Sequence, residues 1–97
     1  DGDTKDIMGF TELKSKFEAF DWNVISMNGN DIEDVQDTLS KAGLLSGNGK
    51  PICILMQTEM GNGVDFMMGS HKWHGIPPND EQLASALEQN PSTIGDY

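Results

Sequence analysis

The residues of this chain that could take part in chemistry are concentrated in one stretch of the sequence, from Gln57 to Asn79. This stretch contains both histidines, His71 and His74, and one of the two tryptophans, Trp73. Imidazoles titrate near neutral pH and can donate hydrogen bonds, move protons or bind metals. Loops of this length inside a compact domain are usually functional or disordered. Because histidines and aromatic residues are atypical of disordered linkers, we predict a functional site here.

The histidine pair leaves more than one interpretation open. His71 and His74 are three residues apart, and two imidazoles at this spacing can share a metal ion. No cysteine lies nearby, and the acids Glu59 and Asp65 lack the spacing of metal ligands, which disfavours a metal site. The rings are then either structural or donors to an anionic or hydroxylated ligand. We expect Trp73 to pack beside His74 and fix its ring.

A Gly-x-Gly sequence precedes the histidines. Gly61-Asn62-Gly63 allows the backbone to approach a ligand closely, and exposed N–H groups there could meet a phosphate. The same pattern is also typical of an ordinary turn, so both interpretations remain open.

Composition excludes several classes of function. The chain has 97 residues, enough for about one domain, and a formal net charge of −10 without any arginine. Nucleic acids and anionic membrane surfaces would be repelled, and the acidic excess is typical of a solvated surface. No apolar run approaches the roughly 20 residues of a membrane helix. A start at Asp1 instead of Met predicts a truncated or processed product.

Hydrophobic periodicity predicts alternating helices and strands. The predicted elements are a helix over 10–20, a strand over 22–27, a helix over 31–43, a strand over 51–56, a site loop over 57–78, a helix over 80–89 and a tail over 91–97. The predicted inner faces are Phe10, Leu13, Phe17 and Phe20 in the first helix, Ile32, Val35, Leu39 and Ala42 in the second, and Leu83, Ala84 and Leu87 in the third. The predicted helix starts are Thr11, Asn30 with Glu33, and Asn79 with Gln82, and the predicted stops are Gly43 and Asn90.

The second strand makes the predicted sheet incomplete. Residues 52–56 are all apolar and follow Pro51, which favours a strand covered on both faces. Its Cys53 is expected to be a buried, inert thiol, which fits a reducing compartment. Strand, helix and strand form a right-handed βαβ unit, but two parallel strands are not stable alone. We therefore predict an α/β fold, a βαβ-containing fragment of a larger parallel-sheet domain or a sheet completed by another chain.

The predicted site occupies a favourable place in such a fold. Ligands of open parallel sheets bind beyond the carboxyl ends of the strands. The loop over 57–78 leaves the carboxyl end of the most apolar strand. We therefore expect this loop to face a ligand.

Several motifs in this order resemble the transketolase family. They are Gln57-Thr58-Glu59-Met60-Gly61-Asn62-Gly63, then Trp73-His74-Gly75, then Pro77-Pro78-Asn79-Asp80, preceded by residues 16–25 and by Gly29-Asn30-Asp31-Ile32. The resemblance covers nearly the whole chain. The closing residues Ile94–Tyr97 resemble the end of the separately encoded amino-terminal subunits of bacteria.

The resemblance implies a fold and an activity. The segment would be the last third of the thiamine-diphosphate-binding domain, and the reaction would transfer a two-carbon ketol unit between sugar phosphates. His74 would lie beside the cofactor diphosphate and the substrate oxygens as a catalytic and cofactor-binding residue, with Gly61 and Gly63 also binding the cofactor. His71 matches a histidine in part of the family. Met60 stands where some members have a lysine that touches the cofactor, which removes one contact.

The resemblance also implies that most of the enzyme lies outside these residues. The ligands of Mg²⁺ (or Ca²⁺) would precede the chain, so no metal ligand is assigned here. The partners would be a carboxy-terminal subunit or domain together with the remainder of the amino-terminal subunit, in a dimeric or heteromeric cytoplasmic enzyme of the pentose phosphate pathway. The fragment alone would be inactive. The alternative is a non-catalytic α/β interaction module that docks through its incomplete sheet.

Overall fold

The structure, a computed structural model, describes residues 9–91. Its elements are α1 (Phe10–Ala19), β1 (Asn23–Asn28), α2 (Ile32–Leu45), β2 (Ile52–Gln57), a 3₁₀ helix (His71–His74) and α3 (Asp80–Gln89). Each helix and strand lies within two residues of its predicted bounds. Apart from Pro91, the predicted tail and the motif Ile94–Tyr97 lie outside the described residues.

The chain divides into two compact units. The first ends at Thr58 and the second begins at Glu59, so the length-based prediction of one domain does not describe how the contacts are distributed. The division falls where the apolar strand β2 has ended and the glycine-containing stretch begins to make local contacts. The predicted site loop therefore belongs almost wholly to the second unit.

The first unit contains the predicted βαβ arrangement. β1 and β2 are parallel, with Asn23 paired to Ile52 and Asn28 paired to Gln57. α2 provides the crossover between them. The α/β fold class is thus confirmed, and within the described residues the sheet has two strands.

The core of the first unit is small. Its buried apolar residues in the described range are Met27 and Leu55, and the buried polar residue is Thr38. Cys53 is half-buried, so the prediction of a buried thiol is wrong. In the described chain β2 has a neighbouring strand on one side, and this leaves its first residues incompletely covered.

The buried face of α2 differs from the predicted face. Ile32 and Leu39 are 69% and 56% exposed, while Thr38 is buried, at 3% exposure. Val35 and Ala42, two of the four residues predicted to face inward, are half-buried. The prediction is wrong for Ile32 and Leu39 because α2 has two adjacent apolar stripes, and the described sheet covers one of them.

Two further predicted inner positions are exposed. Phe20 is 80% exposed because α1 ends at Ala19 and Asp21, at φ +67°, turns the backbone out of the helix. Leu83 and Leu87 of α3 are 46% and 62% exposed. The prediction that they mark the inner face is wrong, because α3 contacts its own unit through polar side chains. Ala84 is likewise exposed, and the half-buried positions of α3 are Gln82, Ser85 and Ala86.

The helix ends show which cap predictions hold. Asn79 accepts from the backbone N–H of Gln82 in a complete capping box, as predicted. Asp31, and not the predicted Asn30, caps α2, because its side chain accepts the N–H groups of Glu33 and Asp34. Two further predictions are wrong: Gly9 precedes α1 in place of Thr11, and α2 continues through Gly43 to Leu45. α3 ends at Asn90, as predicted.

Candidate functional site

The first part of the site is a turn whose backbone requires glycine. Gly61 has φ +73°, and a Cβ atom there would lie 2.6 Å from the backbone of Met67. The N–H of Asn62 donates to the carbonyl of Glu59 at 3.2 Å, and the N–H of Val64 donates to the carbonyl of Gly61 at 3.1 Å. These bonds fold the segment tightly upon itself, so a side chain at Gly61 has no room.

Gly63 lies against the end of α3. It has φ +96°, and its absent Cβ position lies 2.8 Å from Oδ1 of Asn90. Nδ2 of Asn90 donates to the carbonyl of Gly63 at 3.0 Å and to the carbonyl of Ala86 at 2.9 Å. The asparagine therefore bridges the last turn of the helix and the turn that contains the two glycines.

The two glycines retain unused hydrogen-bond donors. Within residues 9–91, the N–H groups of Gly61 and Gly63 donate no hydrogen bond. The N–H of Asn62, which lies between them, donates to the carbonyl of Glu59, so Gly61 and Gly63 offer two separate donors. The turn thus combines a conformational need for glycine with donors that a phosphate can accept from, and the two interpretations made from sequence are compatible.

A second amide joins the turn to α3. Oε1 of Gln89 accepts the N–H of Asp65 at 2.8 Å, and Nε2 of Gln89 donates to Oδ1 of Asp65 at 3.0 Å. Nε2 also lies 3.2 Å from the hydroxyl of Ser85, one helical turn earlier. These contacts are polar throughout, which explains why the apolar positions of α3 are not used within this unit.

Trp73 holds the middle of the stretch together. Its indole N–H donates to the carbonyl of Phe66 at 3.1 Å, and the two rings meet edge to face at 5.3 Å. Nζ of Lys72 lies 5.2 Å from the centre of the indole ring. Trp73 thereby fixes the backbone from which His74 projects, and a direct effect on the imidazole ring itself stays a prediction.

His74 is the last residue of the 3₁₀ helix, and its side chain is exposed. His71 begins the same helix and is exposed too. Neither imidazole hydrogen-bonds to another residue of the described range, so the structural interpretation of these rings has no support there. Both rings are available to an external group.

Metal ligation has no basis in the described residues. No group of three or more His, Cys, Asp or Glu side chains between residues 9 and 91 is arranged to hold a metal ion. No helix in that range is long and apolar enough to span a membrane.

The structure places His74, Gly61 and Gly63 in the second unit, connected through Phe66 and Trp73. It adds three residues that the sequence pattern missed, namely Asp65, Gln89 and Asn90. Gln89 and Asn90 carry no signal beyond a helix end, and their partners lie 24 and 27 residues away. Adjacent amides before Pro91 are a weak signal, because side-chain amides also end helices without such partners.

Comparison with known proteins assigns the chain to a family. The family described as "Transketolase, thiamine diphosphate binding domain" matches residues 1–91. The chain belongs to the transketolase family. Within this family, the segment is an α/β part of the thiamine-diphosphate-binding domain, which confirms the resemblance noted in the sequence.

Several curated transketolases are similar to the chain. It is 39% identical to an apulose-4-phosphate transketolase subunit of Actinobacillus succinogenes, over 91% of this chain and 31% of the relative. It is 33% identical to the protein of the same name from Phocaeicola vulgatus, with the same coverage of 91% and 31%. The transketolase of Sinorhizobium medicae is 33% identical over 92% of this chain and 12% of its own length. The chain thus spans about a third or less of these transketolases.

Proposed function

We propose that this chain forms one wall of the active site of a transketolase that moves two-carbon ketol units between sugar phosphates. The observation that carries the proposal is the family match over residues 1–91, supported by an exposed His74 at the position that the family motif predicts. Thiamine diphosphate, when bound, supplies the carbanion chemistry, and the protein supplies binding and orientation.

The residues of the second unit fit the anionic part of this cofactor. The N–H groups of Gly61 and Gly63, which have no acceptor among residues 9–91, can donate to diphosphate oxygens, because glycine lets a ligand approach the backbone closely. The side chain of Met60, which is 45% exposed, can add apolar contact but no charge. The metal that accompanies the cofactor does not fit the described residues, so we assign its ligands to other parts of the enzyme.

We assign His74 the role of hydrogen-bond donor and proton carrier. Its exposed imidazole can donate to a substrate or diphosphate oxygen and can release or accept a proton as charge develops there. Trp73 limits the orientation of this residue through its bond to the carbonyl of Phe66. A donor whose backbone is held in place before the substrate binds needs less rearrangement during the reaction.

The proposed assembly rests on the names and lengths of the relatives. Two of them are named as subunits of a transketolase, and this chain covers 31% of each. We propose that the chain acts in the cytoplasm, together with the remainder of an amino-terminal subunit plus a separate carboxy-terminal subunit. Alone, the chain is inactive. We propose sugar phosphates as the substrate class and name no individual sugar.

The test replaces each histidine in the assembled enzyme. His74→Ala is expected to lower kcat/KM for ketol transfer by about 10²-fold or more, the effect of losing a general acid or an oxyanion donor. His71→Ala is the matched control, because His71 lies on the same exposed 3₁₀ helix. The kcat/KM of this variant should change less than about threefold, since no general acid or donor is lost. Near-normal turnover of His74→Ala would remove His74 from the reaction.

A non-catalytic docking module is the second candidate, favoured by the two-stranded sheet of the described residues and by exposed apolar side chains such as Ile32 and Leu87. It predicts a stable complex with a fixed protein partner in which His74→Ala and His71→Ala both leave the partner's activity unchanged. Reconstitution with the other transketolase parts separates the two, because only the first candidate restores ketol transfer.

A further inference from the structure

The C-terminal end of α3 contacts the glycine turn through an amide clasp, by which we mean the side chains of Gln89 and Asn90. Asn90 bridges the carbonyls of Ala86 and Gly63, at 2.9 and 3.0 Å. Gln89 both donates to and accepts from Asp65, at 3.0 and 2.8 Å. Each amide uses its NH₂ group for the helix and for the turn at once, so the turn is attached to the helix by oriented bonds.

A second set of contacts leads from the clasp to His74. Oδ1 of Asp65, which accepts from Gln89, also accepts the N–H of Phe66 at 2.7 Å. The carbonyl of Phe66 accepts the indole N–H of Trp73, and the two rings are in contact. Trp73 is the covalent neighbour of His74 in the 3₁₀ helix. A continuous series of contacts thus runs from Gln89 of the amide clasp to the backbone of the histidine, while Asn90 holds Gly63, two residues before Asp65 in the same turn.

The polar character of this series has a physical consequence. Hydrogen bonds constrain both the distance and the direction between the groups that they join. The apolar positions Leu83 and Leu87 are on α3 but are exposed, so they do not perform this attachment. The contacts that join α3 to the turn are therefore made by amides that lie 24 and 27 residues from their partners.

We propose that Gln89 and Asn90 are positioning residues, which hold Gly63 and, through Asp65, Phe66 and Trp73, set the orientation of His74. This inference rests on the proposed function of His74 for its catalytic consequence. The structural part, that the amide clasp fixes the Trp73 indole, is measured independently of the reaction.

The main variant is Asn90→Asp in the assembled enzyme. It keeps the size of the side chain but replaces the NH₂ donor with an oxygen that faces two carbonyls. Gln36→Glu is the matched control, an amide-to-acid change of the same charge on an exposed position of α2. The first readout is the indole N–H resonance of Trp73 in cofactor-free protein, assigned by its loss in Trp73→Phe.

We expect Asn90→Asp to shift the Trp73 indole resonance and to increase its hydrogen exchange about tenfold or more, because the opened turn releases its carbonyl partner. Turnover should fall about tenfold through kcat, with KM changed less, as expected when a reacting group is misplaced while the binding surface remains. Gln36→Glu should change neither readout.

A second variant tests the same proposal in case Asn90→Asp does not fold. Gln89→Met keeps length and helix propensity and removes the bonds to Asp65. In the double variant with Trp73→Phe, the loss of kcat should be smaller than the product of the two single losses, because both substitutions act along one series of contacts. A loss in the double variant equal to the product of the two single losses would show that Gln89 does not act through Trp73.

The possible failures are read from different measurements. An unchanged Trp73 indole signal in both clasp variants overturns the positioning role, whatever the activity. A shifted signal with normal kcat, while His74→Ala is severely impaired, also overturns it, because the clasp would then not reach His74. Near-normal turnover of His74→Ala instead overturns the proposed function.

Discussion

Gly61 and Gly69 have nearly the same backbone conformation, at φ +73° and +72°, but different surroundings. Beyond Gly69 and its two chain neighbours, no atom of residues 9–91 lies within 4 Å of an added Cβ position there, whereas at Gly61 the backbone of Met67 lies 2.6 Å away. A left-handed conformation disfavours any L side chain at either residue. Only at Gly61 would the backbone also have to move, and this distinguishes a glycine needed for conformation from one needed for conformation and space.

This difference gives a prediction at the residue scale. Gly69→Ala should cost about 1–2 kcal/mol from left-handed strain alone. Gly61→Ala should cost about 1–3 kcal/mol more, because the added methyl group must displace backbone. Hydrogen exchange of the Val64, Met67 and Met68 amides, which bond within this turn, measures the loss. Equal effects of the two substitutions would show that the tight contact at Gly61 is relieved at little cost.

The sequence allowed candidate site residues to be named, but not the contacts that hold them in place. Histidines and glycines carry chemical or conformational information in their own identity, so His74, Gly61 and Gly63 could be named as candidates. Their roles toward a ligand remain predictions. The bond between Asp65 and Gln89 spans 24 residues, and no local periodicity reports a contact at that separation.

At the scale of elements, the start of α3 is determined by neighbouring residues in the sequence, whereas the contacts of its end are not. The Asn79 and Gln82 side chains each accept a backbone N–H, at 2.8 and 2.9 Å. This reciprocal arrangement involves residues three apart, so it is visible in the sequence. The contacts of the other end of α3 depend on the turn at Gly63, which is distant in the chain.

The capping box gives the element-scale prediction. Asn79→Ala should destabilise the first turn of α3 by about 1 kcal/mol, since the N–H of Gln82 loses its acceptor. Asn79→Ser is the control that retains an accepting oxygen, and it should cost only a few tenths of that amount. Amide exchange of Gln82 and Leu83 in the assembled protein measures the difference. Equal exchange in the two variants would contradict a contribution from the cap.

α2 illustrates why helix location was easier to predict than helix orientation. Its apolar residues form two adjacent stripes, one through Val35 and Ala42 and the other through Ile32 and Leu39. Periodicity identifies a helix from either stripe, but the neighbouring element selects the buried one. Here the selected stripe includes Thr38, whose polar identity gave no indication of burial.

At the scale of the whole molecule, the described residues leave much apolar surface uncovered. Leu44 is 84% exposed and Ile76 is 55% exposed, in addition to the exposed stripes of α2 and α3. Exposed apolar residues are normal one by one, but adjacent ones mark surfaces that contact other protein. This agrees with the coverage of 31% of the two apulose-4-phosphate transketolase relatives and supports a chain that functions inside a larger assembly.

The whole-molecule prediction concerns cofactor binding. The isolated 97 residues should bind thiamine diphosphate weakly or not at all, with or without Mg²⁺, because no metal-ligand group exists in residues 9–91 and one wall cannot enclose the cofactor. The full assembly should bind it in a manner that requires the divalent cation. Titration calorimetry on both, with magnesium present and removed by chelation, makes the comparison. Tight, magnesium-dependent binding by the isolated residues would refute the assignment of the ligands elsewhere.

The parallel pairing of β1 and β2 has a consequence during protein synthesis. Each strand in the described sheet offers its outer edge, a row of N–H and C=O groups that another extended segment can pair with. Parallel neighbours need long crossovers and form slowly, so strand edges stay unpaired for longer during folding. A newly made chain with this sheet is therefore exposed to wrong strand pairing at β1 and β2, and early engagement by a chaperone would favour correct folding.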